Sequence, residues 1–188
     1  LPSTLYKMTW NDFPWFALPA MLCWVAAGIT VYKYRGISHV LMLLGTLIYA
    51  VFIGGLWVGL ERPPMRTVGE TRLWYAFFLA AVGYATFRRH RYPWLLSFAA
   101  LVACVFTCIN LFKPEIHSKH LMPALQSYWF VPHVTVYILS YAMLGAATVG
   151  AFIRMHALRH GPDTSTDEAL YRLMDNLVYT GSVSYTHL

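Results

Sequence analysis

Five stretches of almost uninterrupted apolar residues dominate the chain, and short polar segments separate them. The stretches cover residues 14–32, 37–60, 71–87, 93–112 and 130–154. Each is close to the roughly 20 residues that a helix needs to cross the hydrocarbon core of a bilayer. They are continuously apolar rather than alternating, so helices and not strands satisfy their backbone hydrogen bonds in lipid. The pattern predicts an all-α, polytopic transmembrane helix bundle with about five membrane-spanning helices and short loops.

The polar segments carry the signals for helix ends and for orientation. Thr67-x-x-Glu70 has the spacing of a capping box ahead of the third stretch. The Arg88–Arg91 loop is strongly basic and contains no acid, which favours the cytoplasmic side of the membrane. Alternation of the spans then puts the loops at 61–70 and 113–129 on the outer side.

The C-terminal part of the chain carries a weaker pattern. Leu170, Leu173, Leu177 and Val178 recur at helical spacing and predict an interfacial helix that leads towards another span. Residues 182–188 resemble a translated sequencing-library adapter, so we expect a non-native tail there. Residues 1–181 are then expected to form a partial transmembrane domain.

Composition agrees with a membrane protein and narrows the classes of function. Hydrophobic residues make up 58% of the chain and charged residues 12%, whereas an ordinary soluble domain is about 25% charged. The formal net charge is +6, but the cations lie in the gaps between apolar stretches, where positive-inside bias and snorkelling put them. They form no stripe along one amphipathic face, so we exclude a nucleic-acid partner.

Histidine is the residue with candidate chemistry on the outer side. His117 and His120 lie in the last outer loop, and His133 lies at the start of the fifth stretch. Neutral imidazole is a ligand for zinc or haem iron, but an interfacial histidine also packs or hydrogen bonds, and the residues alone leave both roles open for His133. His117 and His120 have no evident third metal ligand, so we expect ordinary loop residues there.

Several segments resemble CcsA/ResC-type cytochrome c biogenesis proteins, the System II haem-handling family. The similarity lies in residues 62–67 (RPPMRT), 70–75 (ETRLWY), 121–129 (LMPALQSYW), 132–134 (PHV) and 140–142 (SYA). The resemblance implies a protein of the bacterial inner (cytoplasmic) membrane that delivers haem to the outer face. It also implies presentation of haem to apocytochrome c, together with a CcsB/ResB-type membrane partner.

The same resemblance suggests roles for two residues. His133 matches the position of the family's first outer histidine, an axial ligand of the haem iron, and Trp129 is expected to contact the haem rim. The orientation argument independently puts His133 on the outer side, where that role requires it. No catalytic residue is assigned, although the intact family resembles a cytochrome c synthase.

The chain also departs from the family pattern. It contains no Trp-Gly-x-x-Trp-x-Trp-Asp (WWD) segment and no second outer histidine after it; in the family both follow the fifth span. We therefore expect a C-terminally truncated fragment that does not complete haem thioether ligation alone.

Other classes of function remain open at this point. A non-haem membrane transporter or channel subunit would have ionisable groups deep within its spans. A membrane thiol-redox protein would use Cys104 and Cys108, although both lie inside an apolar stretch where cysteine usually packs. A purely structural subunit is the third alternative.

Overall fold

The computed structural model describes residues 8–118, 120, 129–159 and 164–186, and these ranges are almost entirely helical. The only extended pairing in them is an isolated antiparallel bridge between Thr67 and His120. Six α-helices occur in these ranges: α1 (Phe13–Thr30), α2 (Arg35–Leu60), α3 (Val68–His90), α4 (Pro93–Phe112), α5 (Phe130–Arg159) and α6 (Thr164–Thr186). The predicted all-α class is confirmed. The chain divides into two compact units, Leu1–Tyr128 and Trp129–Leu188.

Four helical segments of the described ranges are long and apolar enough to cross a membrane. They are Trp10–Thr30, Arg35–Leu60, Pro93–Phe112 and Val136–His156. The protein is therefore a polytopic helical membrane protein. The third predicted span, at 71–87, forms helix α3 with sufficient length, but its arginine, tyrosine and threonine residues lower its mean hydropathy. That α3 also crosses the membrane stays a prediction, which its packing along α4 supports.

The first unit is a bundle in which α1 packs against both α2 and α4, and α3 packs along α4 and also contacts α2. Large aromatic side chains fill its centre, among them Phe13, Trp24, Tyr49 and Phe52, all of which are fully buried. Burial of aromatic surface and edge-to-face ring contacts stabilise such a core. The connections are short, so consecutive helices run antiparallel and bring their ends together at two faces of the bundle.

Polar side chains join the helices of this unit. The Trp24 indole donates to Thr46 Oγ1 at 3.2 Å, and Ser97 Oγ donates to the Gly28 carbonyl at 2.8 Å. Gly45 allows α1 and α2 to approach closely, because a Cβ there would lie 2.9 Å from the Ala20 carbonyl oxygen. Small residues and interhelical hydrogen bonds are the usual means of helix association where lipid removes the hydrophobic driving force.

The second unit consists of α5 and α6 packed against each other. Leu170, Leu173 and Leu177 are buried, whereas Val178 is 46% exposed, so the predicted apolar face of the C-terminal helix is confirmed at the three leucines and wrong at Val178. At Gly181 the backbones approach closely, since a Cβ there would lie 3.2 Å from the Ser140 carbonyl oxygen.

Candidate functional site

His133 lies in the first turn of α5, and its main-chain N–H donates to the Trp129 carbonyl at 3.3 Å. Pro132 precedes it among the first three residues of the helix, where amides have no partner within the helix and a proline is tolerated. The sequence Trp-Phe-Val-Pro-His therefore starts the helix and puts the histidine one turn inside it. His133 therefore lies near the start of α5, as predicted, but the candidate membrane span of this helix is Val136–His156, so its place inside a span stays a prediction.

The His133 ring is half-buried and contacts Tyr137, one turn further along α5, in an edge-to-face arrangement with ring centroids 4.5 Å apart. Tyr137 in turn stacks with Tyr141 at 6.3 Å. Residues four apart share one face of a helix, so these three rings form an aromatic strip on α5. We call His133, Tyr137 and Tyr141 the α5 aromatic strip.

The arrangement of His133 suits a metal or haem ligand. In the described parts of the chain, neither ring nitrogen takes part in a hydrogen bond, and Tyr137 limits the orientation of the ring. Trp129, the second predicted contact residue, is 76% exposed. The family segment at 121–128 and the side chain of Pro132 lie outside the described residues, so their part in the site stays a prediction.

His117 is more firmly built into the fold than its sequence suggested. Its ring stacks on Trp10 at 3.8 Å with an interplanar angle of 9°, and Phe13 contacts it edge-on at 6.2 Å. His117 Nε2 lies 2.9 Å from the Asn110 carbonyl oxygen, which can only accept, so Nε2 carries the hydrogen. Asn110 is fully buried and its side-chain amide donates to the Gly69 carbonyl at 3.1 Å.

Burial lowers the pKa of His117, and its hydrogen bond to the Asn110 carbonyl opposes this shift only in part. A neutral ring is therefore favoured in the folded protein. The expectation of an ordinary loop histidine does not describe these contacts. No group of three His, Cys, Asp or Glu side chains that could hold an ion occurs among the described residues. His120 is exposed and pairs with Thr67 through its main chain only.

Glu70 organises the loop between α2 and α3, at the end of the first unit where His117 also lies. The carboxylate is 1% exposed and accepts two hydrogen bonds from the Arg62 guanidinium, at 2.9 and 3.1 Å. It also accepts from the main-chain N–H groups of Arg66 at 2.6 Å and Thr67 at 3.1 Å, and Thr67 Oγ1 accepts from the Glu70 N–H. The predicted capping box is confirmed. The ion pair with Arg62 was not predicted, although an acid eight residues after an arginine was the available signal.

The cysteines give little support to thiol chemistry. Cys23, Cys104 and Cys108 are all free thiols. Cys104 and Cys108 line an apolar groove between α1 and α4, and Cys104 Sγ lies 4.0 Å from the Met21 carbonyl oxygen. This is a packing environment for a small apolar side chain rather than the polar, accessible one of a reactive thiol.

The fold defines a class, namely polytopic helical membrane proteins, and in this chain a half-buried histidine lies in the first turn of α5. The model of the family "Cytochrome C assembly protein" matches residues 14–186. The chain therefore belongs to the cytochrome c assembly protein family, and its role is in cytochrome c biogenesis.

A curated relative agrees with the family. The chain is 27% identical over 142 residues to "Cytochrome c biogenesis protein CcsA" of Gloeothece citriformis (strain PCC 7424). The matched region covers 72% of this chain and 43% of that relative. The chain thus spans less than half the length of the relative.

Proposed function

We propose that this chain is the part of a membrane protein that holds haem for delivery to apocytochrome c on the outer face of the bacterial cytoplasmic membrane. His133 is its axial ligand to the haem iron. The observation that carries the proposal is the half-buried His133 ring, which no hydrogen bond engages in the described ranges and which lies at the start of α5. Membership of a cytochrome c assembly family makes haem the matching ligand.

Three residues near the start of α5 have distinct tasks in this proposal. His133 binds iron through a neutral ring nitrogen. Tyr137 holds the imidazole plane by its edge contact, so the ligand loses little rotamer freedom when it binds. Trp129, at the exposed entrance to α5, provides an indole surface for the rim of the macrocycle.

Haem, when bound, supplies the vinyl groups to which the cysteine thiols of an apocytochrome add. The residues described above bind and orient it; none of them is assigned a proton transfer. The family's WWD segment and second outer histidine do not occur in this sequence. We therefore assign residues 1–188 one ligand and not the complete thioether ligation.

Orientation and partners complete the proposal. The Arg88–Arg91 loop is assigned to the cytoplasmic side because cytoplasmic loops carry an excess of Lys and Arg, and alternation of the spans puts His133 outside. The partners are an apocytochrome c and a CcsB/ResB-type membrane protein. The name of the relative from Gloeothece citriformis, a cytochrome c biogenesis protein, supports this assignment of pathway.

The proposal is tested with the protein at its natural length, purified in detergent. His133→Gly should weaken or shift the Soret band and reduce cytochrome c maturation, and added imidazole should restore the band by filling the vacant coordination position. His120→Gly is the matched control, because that side chain is exposed and its residue is held through the main chain. An unchanged Soret band and unchanged maturation in His133→Gly would refute the ligand assignment.

A further inference from the structure

A basic cavity of about 540 Å³ lies between the start of α2 and the end of α3. Arg35, Arg88 and Arg91 line it together with His39 and two aromatic residues. Its volume is in the range of small-ligand sites, roughly 300–1,000 Å³. We call it the arginine cavity.

The arginines of this cavity have no carboxylate partner nearby in sequence. The chain contains no Asp or Glu between Asp12 and Glu61, or between Glu70 and Glu115. In the part of the chain that the structure describes, none of the three arginines forms an ion pair. Three like charges around one cavity repel each other, so an anion there would stabilise the arrangement.

The helix ends explain only part of this charge. Arg88 and Arg91 lie at the C-terminus of α3, where cations interact favourably with the helix dipole. Arg35 is the first residue of α2, where the same dipole disfavours a cation. The Arg35 side chain is exposed, and an anion in the cavity would stabilise the charge that the α2 dipole disfavours.

Arg91 adds an independent observation. It adopts a left-handed conformation with φ of 60°, and its N–H caps α3 by donating to the Phe87 carbonyl at 2.6 Å. Glycine is the residue usually found at this capping position, because a side chain is strained there. An arginine kept in a strained conformation beside a cavity indicates that the guanidinium is used.

The remaining walls of the arginine cavity are aromatic, and such side chains suit the level at which a lipid headgroup meets its acyl chains. Phe87 is buried and lies against the His39 ring, with centroids 5.3 Å apart. Tyr84 OH lies 3.3 Å from His39 Nδ1. When Tyr84 donates to Nδ1, a neutral His39 keeps a hydrogen on Nε2 and remains a donor. Arginines above an aromatic floor at a helix-bundle end form the kind of basic pocket that holds anionic headgroups.

We infer that the arginine cavity binds the phosphate of an anionic phospholipid at the membrane face where α2 begins and α3 ends. Guanidinium groups pair with phosphate oxygens through charge-assisted, often bidentate hydrogen bonds. This inference does not depend on the haem proposal, because no residue of the arginine cavity belongs to the α5 aromatic strip.

The test uses the protein at its natural length in a neutral detergent, and it follows the melting temperature during titration with phosphatidylglycerol. The lipid should raise the melting temperature, whereas phosphatidylcholine should not. Arg91→Gly should weaken the apparent affinity for phosphatidylglycerol about tenfold or more, the size of a lost charged hydrogen bond. The same variant should melt no lower than the wild type without lipid, because glycine suits the left-handed position.

Two further variants separate this site from general surface charge. Arg88→Gln should weaken the lipid response like Arg91→Gly. Arg89→Gln removes the same charge from the same helix end, but Arg89 does not line the cavity, so its response should match the wild type. Equal losses in Arg89→Gln and Arg91→Gly would overturn the inference, as would an unchanged response in either cavity variant.

Titrations with other ligands distinguish the possible sources of the phosphate. If glycerol 3-phosphate or inorganic phosphate raised the melting temperature as much as phosphatidylglycerol does, the assignment to a phospholipid would be overturned. The assignment would also be overturned if Arg91→Gly lost haemin binding while its response to phosphatidylglycerol stayed unchanged. No effect of phosphatidylglycerol on the melting temperature of the wild type would also overturn the inference.

Discussion

Replacing Arg62 by Gln should destabilise the first unit by about 2–3 kcal/mol. The substitution leaves the Glu70 carboxylate buried without its cation, and removing one partner of a buried ion pair costs about 3–5 kcal/mol. The Arg62 side chain is 24% exposed, so water compensates part of the loss and the lower end of the range applies. Glu70 keeps its main-chain donors from Arg66 and Thr67, which limits the cost further.

The assay is thermal unfolding of the purified protein in detergent micelles. For a chain of this size, 2–3 kcal/mol corresponds to a decrease in melting temperature of roughly 5–10 °C. Arg66→Gln is the matched control, because its side chain is exposed and it contacts Glu70 through its main-chain N–H. The double variant Arg62→Gln/Glu70→Gln should lose less stability than the sum of the single variants, since no unpaired buried charge remains.

The reasoning would be refuted if Arg62→Gln and Arg66→Gln shifted the melting temperature by the same small amount. Strict additivity in the double variant would also contradict it. Either result would mean that the observed hydrogen bonds contribute no more than a surface ion pair.

Two further predictions concern the surroundings of His117. Because burial lowers the pKa of His117 below its usual value of 6.5, the stabilising effect of the neutral ring is complete above pH 6.5 and is lost as the pH falls through the lowered pKa. His117→Phe should therefore reduce the decrease in melting temperature between pH 7.5 and pH 5; an unchanged pH dependence would contradict the assignment. Gly69→Ala should destabilise the protein by about 1–3 kcal/mol, because the added Cβ would lie 2.9 Å from His117 Cδ2. Gly54→Ala is the control: its added Cβ would have no atom within 4 Å, so this variant should melt at or above the wild-type temperature. Equal melting temperatures of the two variants would refute the close packing at Gly69.

Local patterns predicted much of the fold. The apolar stretch at 93–112 coincides with α4 (Pro93–Phe112), and the stretch at 37–60 lies within α2 (Arg35–Leu60). Both follow from transfer of apolar side chains into lipid and from backbone hydrogen bonds four residues apart. The capping box at Thr67 and Glu70 was predictable for the same reason, since its two partners lie within one helical turn.

The candidate site was predictable only in outline. His133 at the start of α5 follows from the local sequence and from the family resemblance, and the chain's assignment to cytochrome c assembly follows from the match to the family. The edge contact with Tyr137 depends on side-chain orientation, although the spacing of four residues pointed to it. The role of His117 was missed because Trp10 lies more than 100 residues away in sequence.

The sequence by itself thus determined the class of the protein, the approximate limits of its helices and the position of the histidine proposed as a ligand. Each of these depends on interactions within a window of one helix. Only the tertiary structure decided that Trp10 stacks on His117 and that Arg35 and Arg91 line one cavity. These contacts join residues of separate elements, and the packing of helices, which no local pattern encodes, sets which side chains meet.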